Sequence, residues 1–412
     1  MICSLARLLV VTLLLSSTTL HAGDWLTWRG PHANGIAAEG QSPPTSWGDG
    51  ENVLWKASIP GRGHSTPIVV GDQVLLSTCE ESSGTQSVLS YDRATGAPRW
   101  KKDLFSGETI EKIHKKNTHA SSTLASDGQS VFALFHNKSG LHLTALSLDG
   151  SVGWQKKVGD YLDDYNFGYG PSPLLHGDHL IIASEYTGGG FLAAFHKDNG
   201  SEVWRAPRKA MTSYSSPIVA EVAGREQLLL SGSATVSSYD PSNGKLLWQV
   251  PLGTKVTCGT MVWDGDLVFA SGGYPTKETI AVNARTGKTL WTTKDKTYEQ
   301  SMITLDGHLY TVNDNGIAIC WRGEDGKELW KERLEGPVSA SPTLANGLFY
   351  AASESGTWFV YQASPKGINM VAEFSYGAEA FASPVIVDSQ IFLRIAEQNG
   401  GRREEFLVCV GM

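Results

Sequence analysis

Residues 240–248 read DPSNGKLLW, and the same phrase returns along the chain: DRATGAPRW at 92–100, HKDNGSEVW at 196–204, NARTGKTLW at 283–291 and RGEDGKELW at 322–330. LDGSVGW at 148–154 is a shorter copy. In all six, glycine stands four residues before tryptophan. A glycine in a short polar turn supplies the positive φ that a tight hairpin needs. The tryptophan then falls at a fixed register on the following strand. One such pair would say little, whereas six with the same spacing specify a repeated supersecondary unit.

A second landmark alternates with the first. It is a small-residue opening followed by a short apolar run and a Gly/Asp turn, as in STPIVVGD (65–72), SSTLASDG (121–128), PSPLLHGD (171–178) and SASPTLANG (339–347). Between the landmarks lie strand-length apolar runs such as QVLLSTC, HLIIASE and DLVFASG. Each unit therefore reads as strand, turn, strand, loop, strand, glycine turn, strand ending in tryptophan. Four antiparallel strands every 40–50 residues describe one blade of a β-propeller.

Eight openings occur, near Ser65, Ser121, Ser172, Ser216, Gly259, Ser301, Ser341 and Ser383. The expected fold is all-β, an eight-bladed β-propeller of four-stranded antiparallel blades. The last unit stops after its third strand at FLVCVGM, and GENVLWKASIPG (50–61) offers a spare outer strand with Trp55. An N-terminal strand that completes the last blade closes the ring and leaves no open sheet edge. The tryptophans Trp55, Trp100, Trp154, Trp204, Trp248, Trp291 and Trp330 should fill the wedges between blades, each burying on the order of 200 Å². In the unit that lacks one, Val371 or Phe374 is expected in its place.

The bulk composition agrees with a folded, core-bearing protein. Of 412 residues, 41% are hydrophobic and 18% charged, with 45 glycines and 13 tryptophans spent on the repeat. The net charge of −8 and the absence of a basic stripe argue against a nucleic-acid partner. Arg7, the apolar run LLVVTLLL (8–15) and a small residue at Ala22 read as a signal peptide over 1–22, cleaved near Gly23. The organisation expected is thus a signal peptide (1–22), an N-terminal extension (23–49) and the propeller (50–412). No later stretch has the length to span a bilayer. The location implied is periplasmic or secreted, as a monomer. The cysteines Cys79, Cys258, Cys320 and Cys409 are scattered through strand-like runs and are expected as buried thiols.

The pattern D/N-x-x-T/N-G-x-x-x-W, closest in YDRATGAPRW, YDPSNGKLLW and VNARTGKTLW, resembles the repeat of pyrroloquinoline-quinone-type propellers. That family includes quinoprotein alcohol dehydrogenases and the eight-bladed assembly factor for outer-membrane proteins. DWLTWRGPHANG (24–35) is similar to a leader in secreted planctomycete-type members. The resemblance covers about residues 50–410 and specifies architecture better than function. It implies, for a dehydrogenase, a quinone held with calcium over a tryptophan floor, often against a disulfide of adjacent cysteines. This chain has no adjacent cysteine pair and lacks long roofing insertions, and none of those sites carries over residue by residue.

The remaining chemistry is positional. Loops between blades, and between the second and third strands of a blade, gather on one face around the central funnel. They bring Arg62, His64, Asn117, His119, Asp163, Asp164, Tyr169, Glu185, Tyr214, Lys255, Glu299 and Glu379 as candidate ligand-binding residues, with Lys116 and Glu354 among their neighbours. Mixed acids, bases and aromatics at a concave mouth suit a polar ligand. A metal shared by His64 and His119 would lack a third ligand, and no metal site is expected. NDNGI (313–317) and WDGDL (263–267) read as hairpin turns rather than calcium loops. The leading expectation is an exported, non-catalytic propeller that binds an envelope protein, peptide or glycan and needs no cofactor. The alternative is an oxidoreductase of alcohols or sugars dependent on pyrroloquinoline quinone (PQQ) and calcium.

Overall fold

A computed structural model describes residues 23–162 and 165–412. Those residues form thirty-two strands and no helix, from β1 (Val53–Ile59) to β32 (Arg402–Val410). They pair as eight sheets of four antiparallel strands. Blade 1 is typical: β2 (Ile68–Val70) on the inside, then β3 (Gln73–Glu80), β4 (Thr85–Asp92) and β5 (Pro98–Phe105) outermost. Its two middle strands are buried along almost their whole length, while β5 alternates exposed and half-buried residues. The middle strands are covered on both faces by the neighbouring blades, which is why QVLLSTC reads as a continuous apolar run rather than an alternation.

The ring closes as expected. Blade 8 contains β30 (Val385–Val387), β31 (Gln390–Asn399) and β32, and its fourth strand is β1. Val53 pairs with Val410 and Ile59 with Glu405. Trp55 opposes Cys409 beside a bulge, the register that Trp100 holds against Ser90. In blade 7 that register belongs to Ala372, opposite Val360, and not to Val371 or Phe374. Trp47 fills the space instead, its ring 4.7 Å from that of Phe374 and 5.2 Å from that of Trp358.

Each repeat tryptophan reaches into the next blade. Trp100 Nε1 donates to Leu148 O at 2.8 Å, Trp154 to Lys197 O at 2.8 Å and Trp291 to Gly323 O at 2.8 Å. Trp248 donates instead to Gln227 Oε1 (2.9 Å). The turn glycine is thus required twice. Gly200 has φ +65°, and a β-carbon there would stand 2.6 Å from the Trp154 ring.

The segment 24–47 is no loose appendage. It crosses the face that carries the turns between first and second strands. Trp25 bridges Val69, the Leu26 carbonyl accepts from Ser126 N, and Ile36 bridges Leu344. Trp25 and Trp47 are fully buried. The signal peptide read over 1–22 lies outside the described residues. Among those described, all four cysteines are free. Burial pushes the Cys79 thiol up to about 12 and the Cys320 thiol to about 11, so neither is a nucleophile near neutral pH.

Candidate functional site: the cup on the loop face

The blade openings form a hydrogen-bonded ring around the axis. The backbone N–H of Thr66 donates to Thr123 Oγ1 (3.1 Å), that of Thr123 to Ser172 Oγ (3.0 Å) and that of Ser172 to Ser216 Oγ (2.9 Å). The series continues from Thr260 to Ser301 (2.9 Å), Ser301 to Ser341 (2.9 Å) and Ser341 to Ser383 (3.0 Å). Small hydroxyl residues recur at the openings because six of the eight accept from the preceding blade where inner strands crowd together, whereas Thr260 Oγ1 accepts from Trp28 and Thr66 Oγ1 has no partner. The ring residues in blades 1, 2 and 5 are Thr66, Thr123 and Thr260, one or two positions beyond the Ser65, Ser121 and Gly259 read from the sequence.

Above this ring lies a cavity of about 200 Å³. Its floor is Trp28, whose Nε1 donates to Thr260 Oγ1 at 2.8 Å. Because Trp28 belongs to the crossing segment, the funnel is a blind cup. Next to it Arg29 is buried, donating to Asn34 O and Met302 O, and burial without an acid partner lowers its guanidinium to about 9.

Counting back two residues from each ring residue gives the side chains of the cup wall. In blades 1 to 4 these positions are His64, Ser121, Gly170 and Tyr214, and in blades 5 to 8 they are Cys258, Glu299, Ser339 and Phe381. The wall divides into three regions. On one side His64 stacks on Phe381, with ring centroids 4.4 Å apart and planes 9° from parallel. Burial, followed by the charges of Arg62, Arg394 and Arg403, holds the His64 imidazole well below its ordinary range, so it is neutral at pH 7. A second region is an aromatic group from the loops entering blades 2 to 4, in which Phe167 contacts His114 at 4.5 Å and Tyr214 at 6.0 Å.

The third region is charged. Lys116 Nζ lies 2.7 Å from Glu354 Oε1 and 3.6 Å from Glu299 Oε1. The Ser339 hydroxyl is within hydrogen-bond reach of both carboxylates, 2.6 Å from Glu354 Oε1. Burial opposes the charge on Lys116, but the two glutamates outweigh it and raise the ammonium above its usual range.

The candidates named from the sequence separate into groups. His64, Asn117, Tyr214 and Glu299 line the cup. Asn117 uses its amide to hold loops together, donating to Phe167 O at 2.6 Å and accepting from Thr118 N at 2.8 Å. Arg62, His119, Lys255 and Glu379 are not part of the lining. Arg62 pairs with Glu81 and Glu379 with Arg403, while Lys255 is exposed. His119 borders an outer groove, where burial lowers its imidazole. Tyr169 and Glu185 are buried. Tyr169 donates to Ala183 O at 2.7 Å within the core, and Glu185 pairs with Arg208, both about 2% exposed. Asp163 and Asp164 lie outside the described residues. The sequence reading passed over Trp28, Phe167 and Phe381 as ligand contacts. The rule that would have found Phe381 is its place two residues before a ring hydroxyl.

A family profile described as "Outer membrane protein assembly factor BamB" matches residues 46–166, 85–322 and 276–365, most of the propeller. The chain belongs to this family. The BamB of Burkholderia pseudomallei is 30% identical over 99 residues, 24% of this chain and 26% of that protein. A tetrathionate hydrolase from Acidianus ambivalens is 23% identical over 198 residues, 40% of this chain and 36% of that protein. The matches therefore span 26% and 36% of the lengths of these curated relatives. Among solved structures, BamB from Moraxella catarrhalis superposes with a TM-score of 0.62 at 14% identity, covering 87% of this chain and 99% of that one. A europium-containing methanol dehydrogenase gives 0.68 at 12% identity, covering 95% and 98%. A Pseudomonas putida quinohemoprotein alcohol dehydrogenase gives 0.64 at 11%, covering 95% and 80%. At such identities the likeness is one of fold alone.

The dehydrogenase folds raise the question of whether this BamB-family cup suits PQQ and calcium. PQQ carries three carboxyl groups and needs countercharge. The ammonium in the lining, that of Lys116, is already held by Glu354 and Glu299. Near His64 the guanidinium groups of Arg62, Arg394 and Arg403 are engaged by Glu81, Glu405 and Glu379. Among the described residues no group of three or more His, Cys, Asp and Glu side chains is set to hold a metal. The residues present do not fit a calcium-bound tricarboxylate.

Proposed function

We propose that this chain is an exported, non-catalytic β-propeller of the cell envelope that binds a protein, peptide or glycan through its cup. The observation that carries the reading is the Lys116–Glu354–Glu299–Ser339 cluster. The base and acids that a catalytic cup would aim at a substrate are bonded to one another across it. What is left facing the cavity is hydroxyl and aromatic, which recognises by shape and hydrogen bonds. Membership of a family described by outer-membrane-protein assembly supports an interaction role. The signal-like leader supports a periplasmic or secreted location, and a ring without free edges supports a monomer.

A photo-crosslinking amino acid at Phe167, inside the cup, and another at Leu290, on an outer strand, test the proposal in the producing cell. Adducts formed from position 167 and not from 290 are expected. Equal labelling, or none at 167, would overturn it. Titration of the purified protein with PQQ and calcium tests the oxidoreductase alternative. Saturable, calcium-dependent binding there would replace the present reading.

A further inference from the structure

We infer that the cup takes a neutral, polyhydroxylated ring, a single sugar residue at the free end of a glycan. The inference rests on the cup being a binding site and names what binds.

Charge excludes two classes. A cationic ligand would have to displace Lys116, because that ammonium already occupies the space between Glu354 and Glu299 and makes their pairing with Ser339 a closed set. An anionic ligand would meet those two carboxylates and, among the described lining residues, no unpaired ammonium or guanidinium. A neutral ligand pays neither penalty.

Hydrogen bonding narrows the class further. Thr66 is 2% exposed and lines the cup, yet its hydroxyl has no partner. His64 Nε2, in the same lining, is buried and makes no hydrogen bond of its own, the imidazole's one polar neighbour being the Lys116 backbone. A buried polar atom left unmatched costs on the order of 1–3 kcal/mol. This pair points to a ligand group rather than to packing. Hydroxyl groups on the ligand, each both donor and acceptor, could match Thr66 and a neutral imidazole in either tautomer.

The aromatic part of the wall is matched by the remaining property of a sugar ring, its apolar C–H face. Phe167 is 37% exposed although it sits among His114 and Tyr214, and Trp28 presents a second aromatic surface at the floor. Exposed aromatic faces in the same cavity as unmatched polar groups suit a ligand that is apolar on one side and hydroxylated around its edge. A cavity of about 200 Å³ closed below by Trp28 has room for one ring, with the rest of the glycan leaving through the mouth.

The test is calorimetric titration of the intact protein with methyl glycosides of glucose, galactose, mannose and N-acetylglucosamine, beside trilysine and triarginine. Phe167→Ala and Thr66→Val variants that melt with the parent serve as controls. Saturable binding of a methyl glycoside, insensitive to added salt and weakened about tenfold or more by each variant, is the expected result. Glycoside binding untouched by both variants would place the sugar elsewhere and overturn the inference. Salt-sensitive binding of a cationic peptide, lost in Phe167→Ala, would overturn the sugar assignment while leaving the cup a binding site. Silence from every probe would also overturn it, and the crosslinking at position 167 would then judge the binding reading separately.

Discussion

The indole of Trp154 occupies the space that a side chain at Gly200 would need: a β-carbon there would lie 2.6 Å from the ring, and the indole nitrogen donates to Lys197 O at 2.8 Å. The two residues belong to adjacent blades. The glycine and tryptophan that recur four residues apart in the sequence are therefore not partners. Each glycine serves the tryptophan of the blade before.

This relationship separates two costs of replacing a turn glycine. Gly200 and Gly224 both have positive φ, +65° and +76°, but Gly224 has open space around it. Gly224→Ala should cost about 1 kcal/mol, the strain of the left-handed conformation alone. Gly200→Ala should cost about 3 kcal/mol, because the Trp154 ring must also move. Denaturant midpoints measure the difference, and equal losses would contradict the interlock.

A buried ion pair ties the last blade to the first. Arg394 donates to Glu405 Oε2 at 2.8 Å and to Ser65 Oγ and Ser77 O at 2.9 and 2.8 Å, with both charged groups nearly inaccessible. Arg394→Met would leave Glu405 with fewer partners in a dry site and should cost about 3–5 kcal/mol. Arg99→Met, at the exposed pairs with Asp72 and Asp92, should change stability by less than about 1 kcal/mol. Chemical unfolding of the two variants side by side checks the contrast.

His136 makes stability depend on pH. Burial depresses its imidazole to about 4, against a weaker upward pull from the hydrogen bond with Tyr161 O at 3.1 Å. Between the unfolded value of about 6.5 and the folded value, the unfolded chain binds a proton that the native state refuses. Stability should therefore fall as pH is lowered through this window, by about 3 kcal/mol for this residue. In His136→Gln the slope between pH 6.5 and 4 should be shallower than in the parent. An unchanged slope would assign the acid sensitivity to other groups.

The ring closure has its own test. Removing residues up to 60 takes away β1 and should lower the unfolding midpoint sharply. Removing residues only up to 48 deletes Trp28 and Trp47 but keeps the strand, and should cost less. A chain without β1 that melts like the parent would mean that blade 8 stands on three strands.

The architecture was legible because its determinants are local and repeated. Glycine turns, strand-length apolar runs and Trp55 in a spare strand each carry their meaning within ten residues. The cup was legible only in part. His64, Tyr214 and Glu299 were found because polar residues before an opening stand out. Glu185 and Tyr169 look the same in sequence, but their loops turn them inward, where Glu185 meets Arg208 and Tyr169 meets Ala183. Trp28 was beyond reach for a different reason. Its place at the floor depends on a contact with Thr260, more than two hundred residues away, and no local pattern encodes such a pairing.

The pairing of β1 with β32 also orders events in time. Val53 is made long before Val410, yet the two lie side by side in one sheet. Until β32 is made, the nascent chain carries an unpaired β1 and an incomplete blade 8, both open to foreign strands. Contacts of such long sequence separation form late and slowly. The growing chain must therefore be kept from foreign strands until β32 is made, and the finished ring records that the wait succeeded.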